Sequence, residues 1–233
     1  MQNLHSRQQI RGVGVGPRLI PASIVFFAAV FLFVIIAVVV ALSPAVTAID
    51  GNVATWLHVR ATPQVTDVMA AISLLGAPTT LTIVAAAGSL LLLHRRRYAE
   101  AALLSTVVIG GNFLNFCLKH LIQRGRPVFD DPLFSLPTYS FPSGHAMAST
   151  VFYGLLAIYV SVSARQRYAA PLAIGAAVLM VALVSFSRVY LGLHYPSDVM
   201  GGLCEGIAWL ALSVIAWQHR RRREARLGVN ADS

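Results

Sequence analysis

Charged side chains are scarce in this chain. They make up 12% of its 233 residues, and only 9 residues are acidic. Soluble domains carry about 25% charge. With 57% of residues hydrophobic and a mean hydropathy of +0.70, too little polar surface remains to cover a soluble globule. The same figures exclude a disordered chain, which needs low hydrophobicity and high net charge. Cysteine is nearly absent. Cys117 and Cys204 both lie in apolar runs, so they supply neither a disulfide framework nor a zinc pattern. The chain also lacks an internal repeat, a low-complexity linker and any sign of a second domain.

What it has is six long apolar stretches: Leu19–Ile49, Val68–Leu93, Ala101–Leu118, Ala146–Ala164, Tyr168–Ser187 and Val199–Gln218. About 20 apolar residues suffice to cross the hydrocarbon core of a bilayer. In the second stretch, Gly76 and Pro78 mark where the span proper begins. The first stretch is far longer than the roughly 7–15 apolar residues of a cleaved signal peptide, so it is read as a permanent span. The expected fold is all-α and polytopic: a six-span domain over residues 19–218 in the lipid bilayer, flanked by short basic tails at 1–18 and 219–233. Between the first two spans, residues 50–76 carry Trp56, Leu57, Val59, Val65, Val68, Met69 and Ile72 at roughly helical spacing. They predict one or two amphipathic helices on the outer surface, hinged near Pro63, with Trp56 at the interface.

The net charge of +9 follows from topology. With the N-terminus in the cytoplasm, 13 of the 18 basic residues fall inside: Arg7, Arg11, Arg18, Arg95, Arg96, Arg97, Arg165, Arg167, Arg220 to Arg223 and Arg226. Arg60, Lys119, Arg124, Arg126 and Arg188 fall outside. This is the asymmetry of the positive-inside rule, and it places both termini in the cytoplasm. Arg clusters beside spans are ordinary orientation signals, so nucleic acid is not an expected partner.

The outside basic residues keep informative company. Lys119, Arg124 and Arg126 follow the third span and open the outer loop 119–142. Ser143, Gly144 and His145 open the fourth span. Arg188 closes the fifth, and His194 and Asp198 open the sixth. Parity of the spans brings all three groups to one outer face. Lys119, Arg126 and Arg188 supply three cations suited to phosphate, Arg as a planar fork and Lys as a point charge. Ser143 and Gly144 stand at a helix start, where backbone N–H groups face an anion favourably. Asp198, four residues after His194, can hold one ring nitrogen while the other attacks. His145 is left as a proton donor for the departing oxygen. Taken singly, each group has a plainer reading: a helix cap at Ser143, snorkelling cations after the third span, a helix-start hydrogen bond at His194 and Asp198. Those plainer readings explain the combination poorly. Glu205, an acid inside a span, is a further residue of interest.

In order and internal spacing, Lys119 to Arg126-Pro127, Pro142-Ser143-Gly144-His145 and Ser187-Arg188 to His194 and Asp198 resemble the three-part signature of the type 2 phosphatidic acid phosphatases. The resemblance implies a membrane lipid phosphatase. Lys119, Arg126, Arg188, Ser143 and Gly144 would bind the phosphoryl group, and His194 would become a phosphohistidine. Asp198 would orient it, and His145 would serve as general acid. It also implies no metal and no cofactor, consistent with the lack of a carboxylate cluster for magnesium. Arg124 lies inside the first motif but is not one of its fixed positions. Soluble vanadium-dependent haloperoxidases share the signature, but six spans disfavour that reading. An intramembrane serine protease using Ser143, His194 and Asp198 would not need three cations. A non-catalytic lipid-phosphate carrier would not need the histidine pair. A site at the outer mouth of the spans meets lipid phosphates at headgroup level. The expected substrate is undecaprenyl pyrophosphate in a bacterial inner membrane, with phosphatidic acid, phosphatidylglycerophosphate and lipid A phosphates as alternatives. Nothing in the sequence sets an oligomeric state.

Overall fold

In the computed structural model, the structure describes residues 19–130, 132–134, 137–163 and 166–231, with side chains from 20 to 223. The expected tail 1–18, with its three arginines, and Arg165 lie outside these residues. Among the described residues there are eight helices: α1 Leu19–Leu42, α2 Pro44–His58, α3 Pro63–Leu75, α4 Pro78–His94, α5 Tyr98–Ile122, α6 Gly144–Ser163, α7 Ala169–Tyr190 and α8 Pro196–Ala231. No strand occurs among the described residues.

Proline opens half of these helices. α2, α3, α4 and α8 each begin on one, where the missing N–H costs nothing and the fixed φ suits a first turn. Pro44 corrects one expectation. The uncharged run continues to Ile49, but a proline ring cannot follow an unbroken helix, so the first span ends at Leu42. Ser43 caps α2, its hydroxyl accepting from the Val46 N–H at 3.5 Å. The hinge expected near Pro63 is present as the break between α2 and α3. Gly76 and Ala77 then separate α3 from α4. At that joint a Cβ on Gly76 would stand 2.2 Å from Val184 Cγ1, so only glycine lets the joint press on α7. The last helix also differs from expectation. It runs past Gln218 through the arginine cluster to Ala231, because arginine is a good helix former and no proline interrupts the stretch.

Among the described residues, six stretches are long and apolar enough to span a membrane: Ile20–Leu42, Pro63–His94, Tyr98–Ile122, Gly144–Ser163, Ala169–Tyr190 and Pro196–Arg223. Their burial pattern inverts that of a soluble protein. Ile20, Phe27, Phe31, Leu90, Phe113 and Leu172 are exposed, while Asp50, Arg188, His194, Asp198 and Glu205 are buried. Apolar side chains facing outward and polar ones inward suit a hydrocarbon surround, where every polar group must find its partners inside the protein. α1 lies along α8, α6 packs on both α7 and α8, α4 pairs with α5, and α3 leans on α7. The end of α5, the start of α6, the end of α7 and the start of α8 thereby meet at one end of the bundle. α2 and α3 stand beside that end. Leu57 of α2 packs with Tyr190, Leu191 and Leu193, and the Thr62 N–H donates to the Tyr190 hydroxyl at 3.2 Å.

Candidate active site

The segment from Arg188 to Asp198 forms the floor of the site. After α7 the chain turns through Gly192 at φ +69°, a left-handed conformation in which glycine escapes the Cβ penalty. The N–H groups of Leu193 and His194 both donate to the Arg188 carbonyl, at 3.1 and 3.2 Å. His194 is therefore held over the end of the helix that carries Arg188. The start of α6 is tied in as well. The Ser143 N–H donates to the Asp198 carbonyl at 2.9 Å. A Cβ on Gly202 would lie 2.4 Å from the Ser143 carbonyl oxygen, so α8 approaches that turn as closely as backbone permits.

His194 is 2% exposed. Its Nδ1 faces Asp198 Oδ2 at 3.5 Å and the Ser140 hydroxyl at 3.5 Å. Its Nε2 lies 3.3 Å from Arg126 Nη1. The two ring nitrogens thus have different company, carboxylate on one side and cation on the other. Asp198 Oδ2 also accepts from the Ser140 hydroxyl, in a short contact, and from the Tyr195 N–H at 2.8 Å. Burial pushes the imidazole pKa down to about 3; Asp198 opposes this, and Arg126 and Arg188 add to it. The ring is accordingly neutral at neutral pH, the form in which a nitrogen lone pair can attack.

The three expected cations lie at the same end of the bundle, and Arg126 touches the ring itself. Lys119 Nζ donates to the carbonyls of Tyr139 at 2.7 Å and Ser140 at 3.2 Å. Arg126 donates to the Thr138 carbonyl at 2.7 Å, the Thr138 hydroxyl at 2.8 Å, the Tyr139 carbonyl at 3.2 Å and, in a short contact, the Leu193 carbonyl. Burial lowers its pKa, against the pull of Asp198. Arg188 differs from both. It is 4% exposed, and Nη1 donates to Ser73 Oγ at 2.6 Å, yet among the described residues Nε and Nη2 have no hydrogen-bond partner. A buried guanidinium with two idle nitrogens is costly unless an anion completes it. His145, one residue into α6, is half-buried at the same end of the bundle. Ser143 is fully buried, and its hydroxyl accepts from the Ala146 N–H at 3.5 Å as a cap of α6. Its own N–H is committed to Asp198. Gly144 packs against Asn115, whose Oδ1 would be 2.9 Å from an added Cβ. All eight expected site residues therefore gather at one end of the bundle. Beside them a groove of about 1270 Å³, lined by Thr82, Ile83, Asn112 and Phe116 among others, reaches Lys119.

A model of the PAP2 superfamily matches residues 99–223, more than half of the chain. The chain belongs to the PAP2 superfamily. It is 32% identical to "Phosphatidylglycerophosphatase B" of Bacillus subtilis over 76% of this chain and 87% of that protein. It is 34% identical to "Lipid A 1-phosphatase" of Rhizobium johnstonii, over 46% of this chain and 43% of that one. The crystal structure of a transmembrane PAP2-type phosphatidylglycerolphosphate phosphatase from Bacillus subtilis superposes with a TM-score of 0.72 at 29% identity, covering 81% of this chain and 93% of that chain. This PAP2 protein is a lipid phosphatase. The similarity together with the six apolar helices makes it a multi-pass membrane protein.

Besides Ser73, which holds Arg188, two residues at this PAP2 site fall outside the sequence expectation. Ser140 stands between His194 and Asp198, three positions before the Ser143 motif. Asp50, on α2, is 3% exposed and accepts from Arg124 Nη2 at 2.7 Å. Arg124 also donates to Asp198 Oδ1 at 2.6 Å, so a residue outside the fixed motif positions touches the candidate machinery directly. Glu205 accepts from Asn115 Nδ2 at 2.7 Å, and that same nitrogen lies 3.4 Å from the Pro142 carbonyl, just beneath the Ser143 turn. Among the described residues, no three His, Cys, Asp or Glu side chains cluster in a way that could hold a metal ion.

Proposed function

We propose that the enzyme hydrolyses its lipid phosphate without a metal, through a phosphohistidine at His194. The observation that carries this reading is Arg188, buried with two nitrogens unpartnered among the described residues, at the helix end over which His194 is held. The phosphoryl oxygens lie against Arg188, Arg126 and Lys119, with the start of α6 at Ser143 and Gly144 adding its dipole. His194 Nε2 attacks phosphorus, the P–N bond forms and the P–O bond to the lipid breaks. The leaving oxygen takes its proton from His145. Asp198, facing Nδ1, stabilises the positive charge that develops on the ring. Water then attacks the phosphohistidine and gives a proton to His145, releasing inorganic phosphate and restoring His194.

For the substrate, our first reading is undecaprenyl pyrophosphate, converted to undecaprenyl phosphate. It rests on the charge asymmetry, which orients the site to the outer face of an inner membrane with both termini cytoplasmic. A second reading, phosphatidylglycerophosphate, is favoured by the similarity to the Bacillus subtilis protein over 87% of its length. In either case the groove that reaches Lys119 would take the first part of the lipid chain. A phosphate-release assay with purified enzyme in detergent, across undecaprenyl pyrophosphate, phosphatidylglycerophosphate, phosphatidic acid and lipid A, ranks the readings by kcat/KM. Activity should persist in EDTA, and vanadate should inhibit competitively as a mimic of the pentacoordinate state. Loss on chelation with recovery on adding magnesium or zinc would overturn the metal-free mechanism.

Sidedness has its own test. Val128 is 91% exposed in the loop that carries Arg126. Val128→Cys, in a background lacking Cys117 and Cys204, should react with an impermeant maleimide added to intact spheroplasts. Labelling only after membrane disruption would put the site on the cytoplasmic face.

A further inference from the structure

We propose that Asp50 and Arg124 are positioning residues for the phosphatase reaction, acting on His194 through Asp198, so that α2 belongs to the catalytic unit. The proposal rests on the reading of His194 as the nucleophile.

Asp50 lies in the middle of α2, between the first two spans and far from the three motifs in sequence. A carboxylate 3% exposed must be paired, and this one is paired on both oxygens. Oδ2 accepts from Arg124 Nη2 at 2.7 Å and from the Ser197 hydroxyl in a short contact. Oδ1 accepts from the Ser197 N–H at 3.2 Å. Arg124 reaches the other way. Its Nη1 donates to Asp198 Oδ1 at 2.6 Å and to Ser197 Oγ at 2.7 Å, and its guanidinium carbon lies 4.4 Å from the centroid of the Tyr195 ring. Asp198 is consequently gripped at both ends. Arg124 holds Oδ1, while the Tyr195 N–H and the Ser140 hydroxyl hold Oδ2, the oxygen that faces His194.

A mere anchor for α2 would need only the Asp50–Ser197 contacts. The bond from Arg124 to Asp198 adds an electrostatic task. By itself, a guanidinium 2.6 Å from Asp198 would cancel much of the carboxylate's pull on a cationic phosphoimidazole. Asp50 shares that guanidinium, so Asp50, Arg124 and Asp198 together keep one net negative charge next to His194. Burial lowers the Arg124 pKa, but Asp198 and Asp50 more than offset it, and the guanidinium stays charged. Orienting partners of this kind typically change function 10–100-fold where they have been tested around metal-bound histidines.

The test uses the full chain in detergent with a short-chain phosphatidic acid, measuring kcat, KM, the rate of phosphohistidine formation, the inhibition constant of inorganic phosphate and thermal stability. Asp50→Asn should lower kcat about tenfold and Arg124→Gln about 100-fold. KM and the phosphate inhibition constant should move less than about twofold, because the phosphate-holding cations are elsewhere. The double variant should be no slower than Arg124→Gln alone, since the proposed effect of Asp50 on Asp198 passes through that guanidinium, while its Ser197 contacts only anchor α2. Arg124→Lys keeps the charge but loses the two-way fork, so its kcat should fall between those of Arg124→Gln and the wild type. Additive losses, or a wild-type kcat in Asp50→Asn, would overturn the proposal. If Asp50→Asn does not fold, Arg124→Lys decides: an unchanged kcat overturns the proposal, and an intermediate kcat supports it. His194→Ala, assayed alongside, separates the failures. Turnover in that variant would sink the phosphohistidine reading itself, whereas an inactive His194→Ala beside a fully active Asp50→Asn and Arg124→Lys would sink only the positioning roles.

Discussion

His194→Ala should be inactive on every substrate, while His145→Ala should lose activity in proportion to how poor the leaving group is. The first residue would form a covalent bond to phosphorus, so no choice of substrate can replace it. The second only protonates the departing oxygen, a contribution of roughly 10²–10⁴-fold for a general acid. That contribution shrinks as the leaving group becomes a better anion. A nitrophenolate departs unaided, whereas the alkoxide of a lipid phosphomonoester does not. His145→Ala should therefore keep a larger share of wild-type kcat/KM on p-nitrophenyl phosphate than on phosphatidic acid. A diphosphate lipid, whose leaving group is itself a phosphate, should fall between them. Trapping an acid-labile, base-stable phosphoryl adduct on the wild type and on His145→Ala, but not on His194→Ala, checks the same assignment without steady-state kinetics. Equal losses for both variants on every substrate would reverse the argument, because they would leave the two histidines without distinct roles.

The candidate site residues were legible because the chemistry proposed for them sits in short runs at the ends of spans. Lys119 and Arg126, Ser143 to His145, and Arg188 with His194 and Asp198 each lie within a few residues of a boundary that hydropathy already marks, and span parity then carries them to one end. What stayed hidden depends on contacts that no local pattern encodes. Asp50 is 147 positions from Ser197 and has no motif around it. Ser73, which takes one Arg188 nitrogen, and Ser140, wedged beside Asp198, are single hydroxyls in unremarkable surroundings. Arg124 was visible, but its two acidic partners come from opposite ends of the chain. The misplaced end of the first span has another cause. Hydropathy scores composition and is blind to the backbone, so the run to Ile49 hid the break that Pro44 imposes. The basic stretch after Gln218 shows the converse, since charge ends a span without ending a helix.

Arg188→Met should produce an enzyme that is more stable and nearly inactive. In the wild type, two nitrogens of a guanidinium 4% exposed have no partner among the described residues. An unsatisfied buried polar group costs about 1–3 kcal/mol, more when charged. Methionine fills a similar length with apolar atoms and removes that cost; against this stands the lost bond to Ser73 Oγ, about 1 kcal/mol. The balance predicts a higher melting temperature for Arg188→Met in detergent without substrate. Turnover should move the other way. Removing one positioned donor from a charge that develops in the transition state typically costs 10²–10³-fold. The two effects share one cause, which a ligand titration exposes. Inorganic phosphate or vanadate should raise the melting temperature of the wild type, because a ligand that binds only the native state stabilises it by RT ln(1 + [L]/Kd). The same additions should leave Arg188→Met almost unmoved. A variant that is less stable than wild type and still gains stability from phosphate would make Arg188 a tie between α7 and α3 through Ser73, and the anion would have to be held by Lys119 and Arg126 alone.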